Sequence, residues 1–128
     1  MTSFKPKGYH SVNPYLIASD AEKLVTFLTE AFDAEELDRS EHPDGTIMHV
    51  TCRIGDSLIG VGSAKGEFSG MKNALHMYVE NADEIYKKAL RAGARPLYEP
   101  QDHDYGERSG GIEDPCGNHW YIATNISR

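Results

Sequence analysis

Cysteine is scarce in this chain: Cys52 sits in an alternating apolar segment, Cys116 in a turn, and no CxxC spacing occurs. That excludes a cysteine-built zinc or dithiol motif, makes a structural disulfide unnecessary, and sets the expectation of a reducing, cytoplasmic location. Long hydrophobic runs are missing too. Nothing approaches the roughly 20 apolar residues of a membrane-spanning helix, and the opening MTSFKPKGYH lacks the apolar region of a signal peptide. Positive charge is in deficit, with 13 Lys+Arg against 20 Asp+Glu and a formal net charge of −7. Such a field repels nucleic acid and anionic membrane surfaces, so neither is an expected partner. The glycine-rich GVGSAKG lacks a GK[ST] ending and follows a hairpin, which excludes a phosphate loop. No serine or cysteine has an assigned base partner, so covalent catalysis has no positive support.

What remains is a chain of 128 residues, enough for a single domain with a core of its own. VNPYLIAS, beginning at Val12, reads as a strand, and Asp20 caps a helix with Leu24, Phe27, Leu28 and Phe32 at helical spacing. EELDRS supplies another strand, and TIMHVTCRIGDSLIGVG alternates on both sides of Gly55-Asp56, the signature of a tight hairpin. The second half repeats the plan: strand ALHMYVEN, a helix closed by Gly93, and a hairpin turning at Asp114-Pro115-Cys116-Gly117. A shift of 61 positions carries Asn13 onto Ala74, Asp20 onto Asn81 and Gly60 onto Tyr121, with a one-residue slip at the helix ends. The matched order predicts a tandem βαβββ duplication, with module one at about 10–63, a linker at about 64–73 and module two at about 74–125.

Strand side chains alternate between faces, so parity decides which groups meet. Met48, Val50, Cys52 and Ile54 form the expected helix-packed set, with Ile59 and Val61 joining them across the hairpin. His49, Thr51 and Arg53 then point the other way with Leu58, Gly60 and Gly62. Carried through the shift of 61, this parity places Trp120 and Ile122 under the second helix. It places Asn13, Tyr15, His76, Tyr78, Arg108, Gly110, His119, Tyr121 and Ala123 on the face shared with His49.

These segments, PYLIASDAEKLVTFLTEAFDAEEL, DGTIMHVTCRIGDSLIGVG, LHMYVENADEIYKKALRAGA and YGERSGGIEDPCGNHWYIAT, resemble the vicinal oxygen chelate superfamily. The likeness is to the PhnB-like branch of the glyoxalase, bleomycin-resistance and extradiol-dioxygenase group. It implies an α+β fold in which the tandem modules form a cup-shaped eight-stranded mixed sheet with helices outside, completed in a homodimer. In metal-dependent members each module gives two ligands, one from its first strand and one from its last. Matched by motif, those positions are Asn13, Gly60, Ala74 and Tyr121. None is His, Asp, Glu or Cys, so the usual metal site is not expected and no cofactor is implied. The resemblance therefore points to a small-molecule-binding protein whose ligand-binding residues are Asn13, Tyr15, His49, His76, Tyr78, Arg108, His119 and Tyr121. The alternative is a lyase or isomerase using a cup-facing histidine.

Within that set His49 is the candidate general base, since imidazole titrates near neutrality. His49, His76 and His119, three imidazoles on one face, are also candidates to hold a relocated divalent metal. His10, His42 and His103 fall in terminal or loop sequence and are expected to be solvated. Arg108 must find an anion, either a ligand carboxylate or phosphate or an internal partner such as Glu99 or Glu107, with the internal bridge the first expectation. Tyr15, Tyr78, Tyr105 and Tyr121 would wall the cup with aromatic rings carrying polar tips.

Overall fold

The computed structural model describes residues 4–64 and 70–127, so residues 65–69 of the expected linker lie outside the described part. The first half forms β1 (Tyr15–Ala18), α1 (Ala21–Phe32), β2 (Glu35–Glu41), β3 (Ile47–Ile54) and β4 (Ser57–Ser63). The second forms β5 (Ala74–Tyr78), α2 (Ala82–Arg91), β6 (Arg95–His103), β7 (Glu107–Glu113) and β8 (His119–Asn125). This is the α+β, tandem βαβββ architecture. Its eight strands are distributed as two four-stranded mixed sheets, ordered β1-β4-β3-β2 and β5-β8-β7-β6.

Both helices start and stop for local reasons. Asp20 accepts from the Lys23 amide at 3.1 Å and Asn81 from the Glu84 amide at 3.1 Å, each satisfying a first-turn donor. Asp33 ends α1 in a left-handed conformation (φ 55°), and Gly93 follows α2 at φ 109°, a value most side chains resist. The apolar stripe Leu24, Phe27, Leu28 and Ala31 is buried against the first sheet, while Ala82, Tyr86 and Ala89 face the second. Each fully buried Leu or Phe contributes roughly 1.5–3 kcal/mol. The helices also pack on one another, so both modules share one core.

Register explains where the sequence reading holds and where it fails. In the first hairpin Ile54 pairs with Ser57, Cys52 with Ile59 and Val50 with Val61, the faces expected. β1 starts at Tyr15 instead of Val12, because Asn13 and His10 close a local turn before Pro14. Met48 is 48% exposed although parity puts it in the core, and Ile47 takes its place at 2%. The cause is a bulge: Ser40 pairs with His49 and Glu41 with Ile47, leaving Met48 as the extra residue.

A second slip matters more for the site. Gly60 pairs with Thr51 in the first sheet, and its equivalent Tyr121 pairs with Gly111, so β7 relates to β3 by 60 positions while β8 relates to β4 by 61. An extra residue in the Asp114–Asn118 turn absorbs the difference. One residue of offset inverts a strand. Arg108 and Gly110 therefore lie on the helix face, correcting their expected places, and Glu107, Ser109, Gly111 and Glu113 occupy the opposite one.

The same turn anchors the core. Asp114 accepts from the amides of Cys116 (2.8 Å) and Asn118 (3.0 Å), from Asn118 Nδ2 (3.0 Å) and from the Trp120 indole (2.9 Å). Trp120 is 2% exposed, as its parity requires. Its ring meets Phe32 of the first helix at 4.9 Å between centroids, so it lies at the junction of the two modules and not under α2 alone.

Candidate functional site

The face of each sheet opposite the helices carries the polar and aromatic groups. On the first sheet β1 runs parallel to β4 with Tyr15 beside Gly60. The Tyr15 ring lies across two glycines: a Cβ on Gly60 would stand 2.6 Å from it, and one on Gly62 2.6 Å from its hydroxyl. Removing side chains from β4 is what lets this ring lie flat. His49 stacks on it at 5.5 Å with 21° between planes, its Nδ1 3.3 Å from the Tyr15 hydroxyl and its Nε2 2.9 Å from Thr51 Oγ1. Tyr9, from the segment before β1, reaches the same Thr51 hydroxyl at 3.4 Å. His49 is thus tied to hydroxyl groups, with no carboxylate among the described residues to orient it.

The second sheet repeats this layout with different chemistry. His76 pairs with Tyr121 and Tyr78 with Ala123. His76 Nε2 lies 3.0 Å from Glu107 Oε2, and Glu107 is 8% exposed. Interaction with the Glu107 carboxylate, through hydrogen bonding first and negative charge second, holds the Tyr78 phenol above its ordinary pKa. His119 Nε2 sits 3.1 Å from Glu113 Oε1. Arg95 first, then His119, holds the Glu113 carboxyl below its usual range. Tyr98 covers Gly111, where a Cβ would stand 2.5 Å from its ring, and stacks on Tyr121 at 6.4 Å. His103 ends β6 between Tyr98 and Tyr105, stacked on the latter at 5.0 Å. Its buried Nε2 has no hydrogen-bond partner among the described residues, contrary to a solvated loop position.

Two expected site residues fall elsewhere. Asn13 exchanges hydrogen bonds with the His10 backbone at 2.7 and 2.9 Å, which occupies its amide. Arg108 is held on the helix face by Asp83, at 2.6 and 2.9 Å, and by Asp102 at 3.0 Å. The internal bridge is real, but its partners are not Glu99 or Glu107. Conversely, Glu107, Glu113, Ser109 and Tyr98 escaped the sequence reading because each depends on the inverted β7 or on the bulges of β6.

Two concavities adjoin these groups. One of about 660 Å³ lies between the modules, walled by Phe32, Ile59, Leu75, Met77 and Trp120 and rimmed by His76 and Tyr78. Another, of about 480 Å³, is bounded by Tyr78, Tyr105, Gly106, Glu107, Asn125 and Ser127.

The fold has counterparts in known proteins. The family model described as the glyoxalase/bleomycin resistance protein/dioxygenase superfamily matches residues 9–122. The chain belongs to that superfamily. An uncharacterized protein of Mycobacterium tuberculosis, Rv0887c, is 31% identical over 127 residues, covering 91% of this chain and 75% of its own length. TioX from Micromonospora sp. ML1 superposes with a TM-score of 0.75 at 21% identity, over 93% of this chain and 98% of that one. The fosfomycin resistance protein FosX from Mesorhizobium loti superposes at 0.67 with 18% identity, over 91% and 92% of the two chains. At such identities the structural likeness establishes the fold alone.

The superfamily's metal-dependent members prompt a test of the donor set. Asn13 is occupied by His10, Gly60 and Ala74 have no side-chain donor, and the Tyr121 phenol stacks against Tyr98. Among the described residues no group of three or more His, Cys, Asp or Glu side chains is placed to hold a metal ion, so His49, His76 and His119 do not converge. Neither these four positions nor the three histidines thus assemble a His, Cys, Asp or Glu donor set for a divalent metal among the described residues.

Proposed function

We propose that this superfamily member binds a small, partly aromatic molecule on the sheet faces that carry His49 and His76, without a metal. The observation that carries this reading is the exposure of large aromatic rings on these faces: Tyr15, over the glycine-cleared β4, is 50% exposed, and Tyr78, beside Ala123, is 67% exposed. Solvent-facing aromatic bodies with polar tips are the usual furniture of a ligand site. The working ligand-binding set is Tyr15, His49, His76, Tyr78, His119 and Tyr121, extended by Glu107 and Tyr98. We further propose a homodimer in which faces from two chains complete each cup. It would also cover the free edges of β1 and β5, which are otherwise an aggregation hazard. The sequence motifs support assignment to the PhnB-like branch.

A thermal-shift screen over small aromatic and charged compounds tests the reading. A true ligand raises the melting temperature by mass action. A flat response across all compound classes, in a protein shown to be folded, argues instead for a role in protein contacts. Light scattering reads the assembly: a particle of twice 14.2 kDa is expected, and a monomer at micromolar concentration removes the shared cup.

A second reading, a lyase or isomerase, draws on the His76–Glu107 pair. A buried carboxylate accepting from Nε2 fixes the imidazole tautomer and leaves Nδ1 as the proton acceptor. That makes His76 a better general base than His49, whose neighbours are hydroxyls. Turnover lost in both His76→Gln and Glu107→Gln, with ligand affinity kept, distinguishes this reading from binding alone.

A further inference from the structure

The ligand-binding reading leaves the chemical class of the ligand open, and the concavity beside Glu107 narrows it, provided that reading holds. Glu107 is buried to 8% exposure, yet no lysine or arginine pairs with it among the described residues, where its hydrogen-bond partner is the His76 imidazole. Burying a carboxylate costs free energy that neutral donors offset only in part. Two tyrosines, Tyr78 and Tyr105, are left 67% exposed beside that carboxylate, and Asn125 completes the wall with an amide. The exposed electron-rich rings and the carboxylate together lend the pocket negative potential. Asp104, on the β6–β7 turn next to Tyr105, adds to it. The carboxylate and the electron-rich rings disfavour an anion, and a neutral molecule brings no charge to balance Glu107. A hard metal ion needs about six oxygen ligands that this wall does not supply. A weakly hydrated organic cation suits it, because such an ion gives up water cheaply and meets both ring faces and carboxylate.

We infer that the pocket formed by Tyr78, Tyr105, Glu107 and Asn125 is a subsite for an alkylated ammonium group of the ligand. About 480 Å³ holds such a head with room for the rest of the molecule to run along the Tyr78 and His76 side of the sheet. Specificity comes from the carboxylate, and affinity is shared with the two rings.

Tetramethylammonium chloride is the probe, compared with its neutral isostere tert-butanol, with sodium chloride keeping the ionic strength constant. The assay follows the ring proton resonances of Tyr78 and Tyr105 in the full-length protein. Saturable shifts with tetramethylammonium, and none with tert-butanol, are expected. Glu107→Gln weakens binding about tenfold, and Tyr105→Leu about threefold. The second variant changes an exposed side chain and keeps the test valid should the Glu107 variant fold poorly. Absence of shifts, equal shifts with tert-butanol, or unchanged affinity in a folded Glu107→Gln or Tyr105→Leu protein overturns the inference. A neutral aromatic that still raises the melting temperature in that case leaves the ligand-binding reading standing and removes only the cationic subsite.

Discussion

Replacing Trp120 with alanine probes the junction between the two modules. An indole buries roughly 250 Å², and at about 25 cal/mol per Å² this corresponds to an upper limit near 6 kcal/mol. The retained methyl group and partial collapse of the cavity reduce the expected loss to about 3–5 kcal/mol. Phe32 loses its ring neighbour, and Asp114 loses one of four donors while keeping the other three. An unfolding entropy of about 2.1 cal/mol/K per residue gives roughly 0.27 kcal/mol/K for a chain of this size. A loss of about 4 kcal/mol then lowers the melting temperature by about 15 °C. Tyr121→Phe is the control on the opposite face of the same strand. Its ring still stacks on Tyr98, and removing a hydroxyl that has no hydrogen-bond partner among the described residues changes stability by under about 0.5 kcal/mol. Thermal and urea melts of both proteins decide the matter. A Trp120→Ala protein within about 1 kcal/mol of wild type, or a Tyr121→Phe protein equally damaged, means that β8 faces the other way and every assignment on this sheet inverts.

Asp114→Ala strands buried donors of Cys116, Asn118 and Trp120 together, and a loss of about 3–5 kcal/mol in urea unfolding is expected. Acid titration reads the Arg108–Asp83 pair: the guanidinium holds the Asp83 carboxyl below its ordinary value, so the native state binds fewer protons than the unfolded one. The stabilisation is complete above the ordinary value of about 4 and disappears as pH falls below it. Asp83→Asn should accordingly flatten the fall of melting temperature between neutral pH and strong acid, and an unchanged acid limb counts against the pair. Gly60→Ala pushes the Tyr15 ring off its seat beside His49. Since that ring is half exposed, stability should change by under about 1 kcal/mol, while ligand-induced thermal shifts should fall. A drop in stability without loss of binding would place the ligand elsewhere.

Much of the architecture was legible because it rests on local physics. Asp20 and Asn81 announce helix starts by their side-chain oxygens, Gly93 a helix end, and Gly55-Asp56 a hairpin whose length sets the pairing of Ile54 with Ser57. Repetition of that order along the chain was enough to specify two βαβββ modules. It also gave the outward direction of Tyr15, His49, His76, Tyr78, His119 and Tyr121, since parity counted from a short turn stays correct until a residue is inserted.

The sequence by itself thus determined element order, the apolar stripe of the first helix and the faces of β4 and β8. Tertiary structure alone decided the rest, because register is a cross-strand property. The bulge at Met48 and the longer turn after Glu113 each insert one residue, and one residue exchanges the two faces of a strand. This exchange sent Arg108 to Asp83 at the start of α2 and brought Glu107 round to His76 and Tyr78. That Glu107 stands beside His76, 31 residues away, is settled by the pairing of β5 and β7 with β8 between them, and no local pattern in either segment records it.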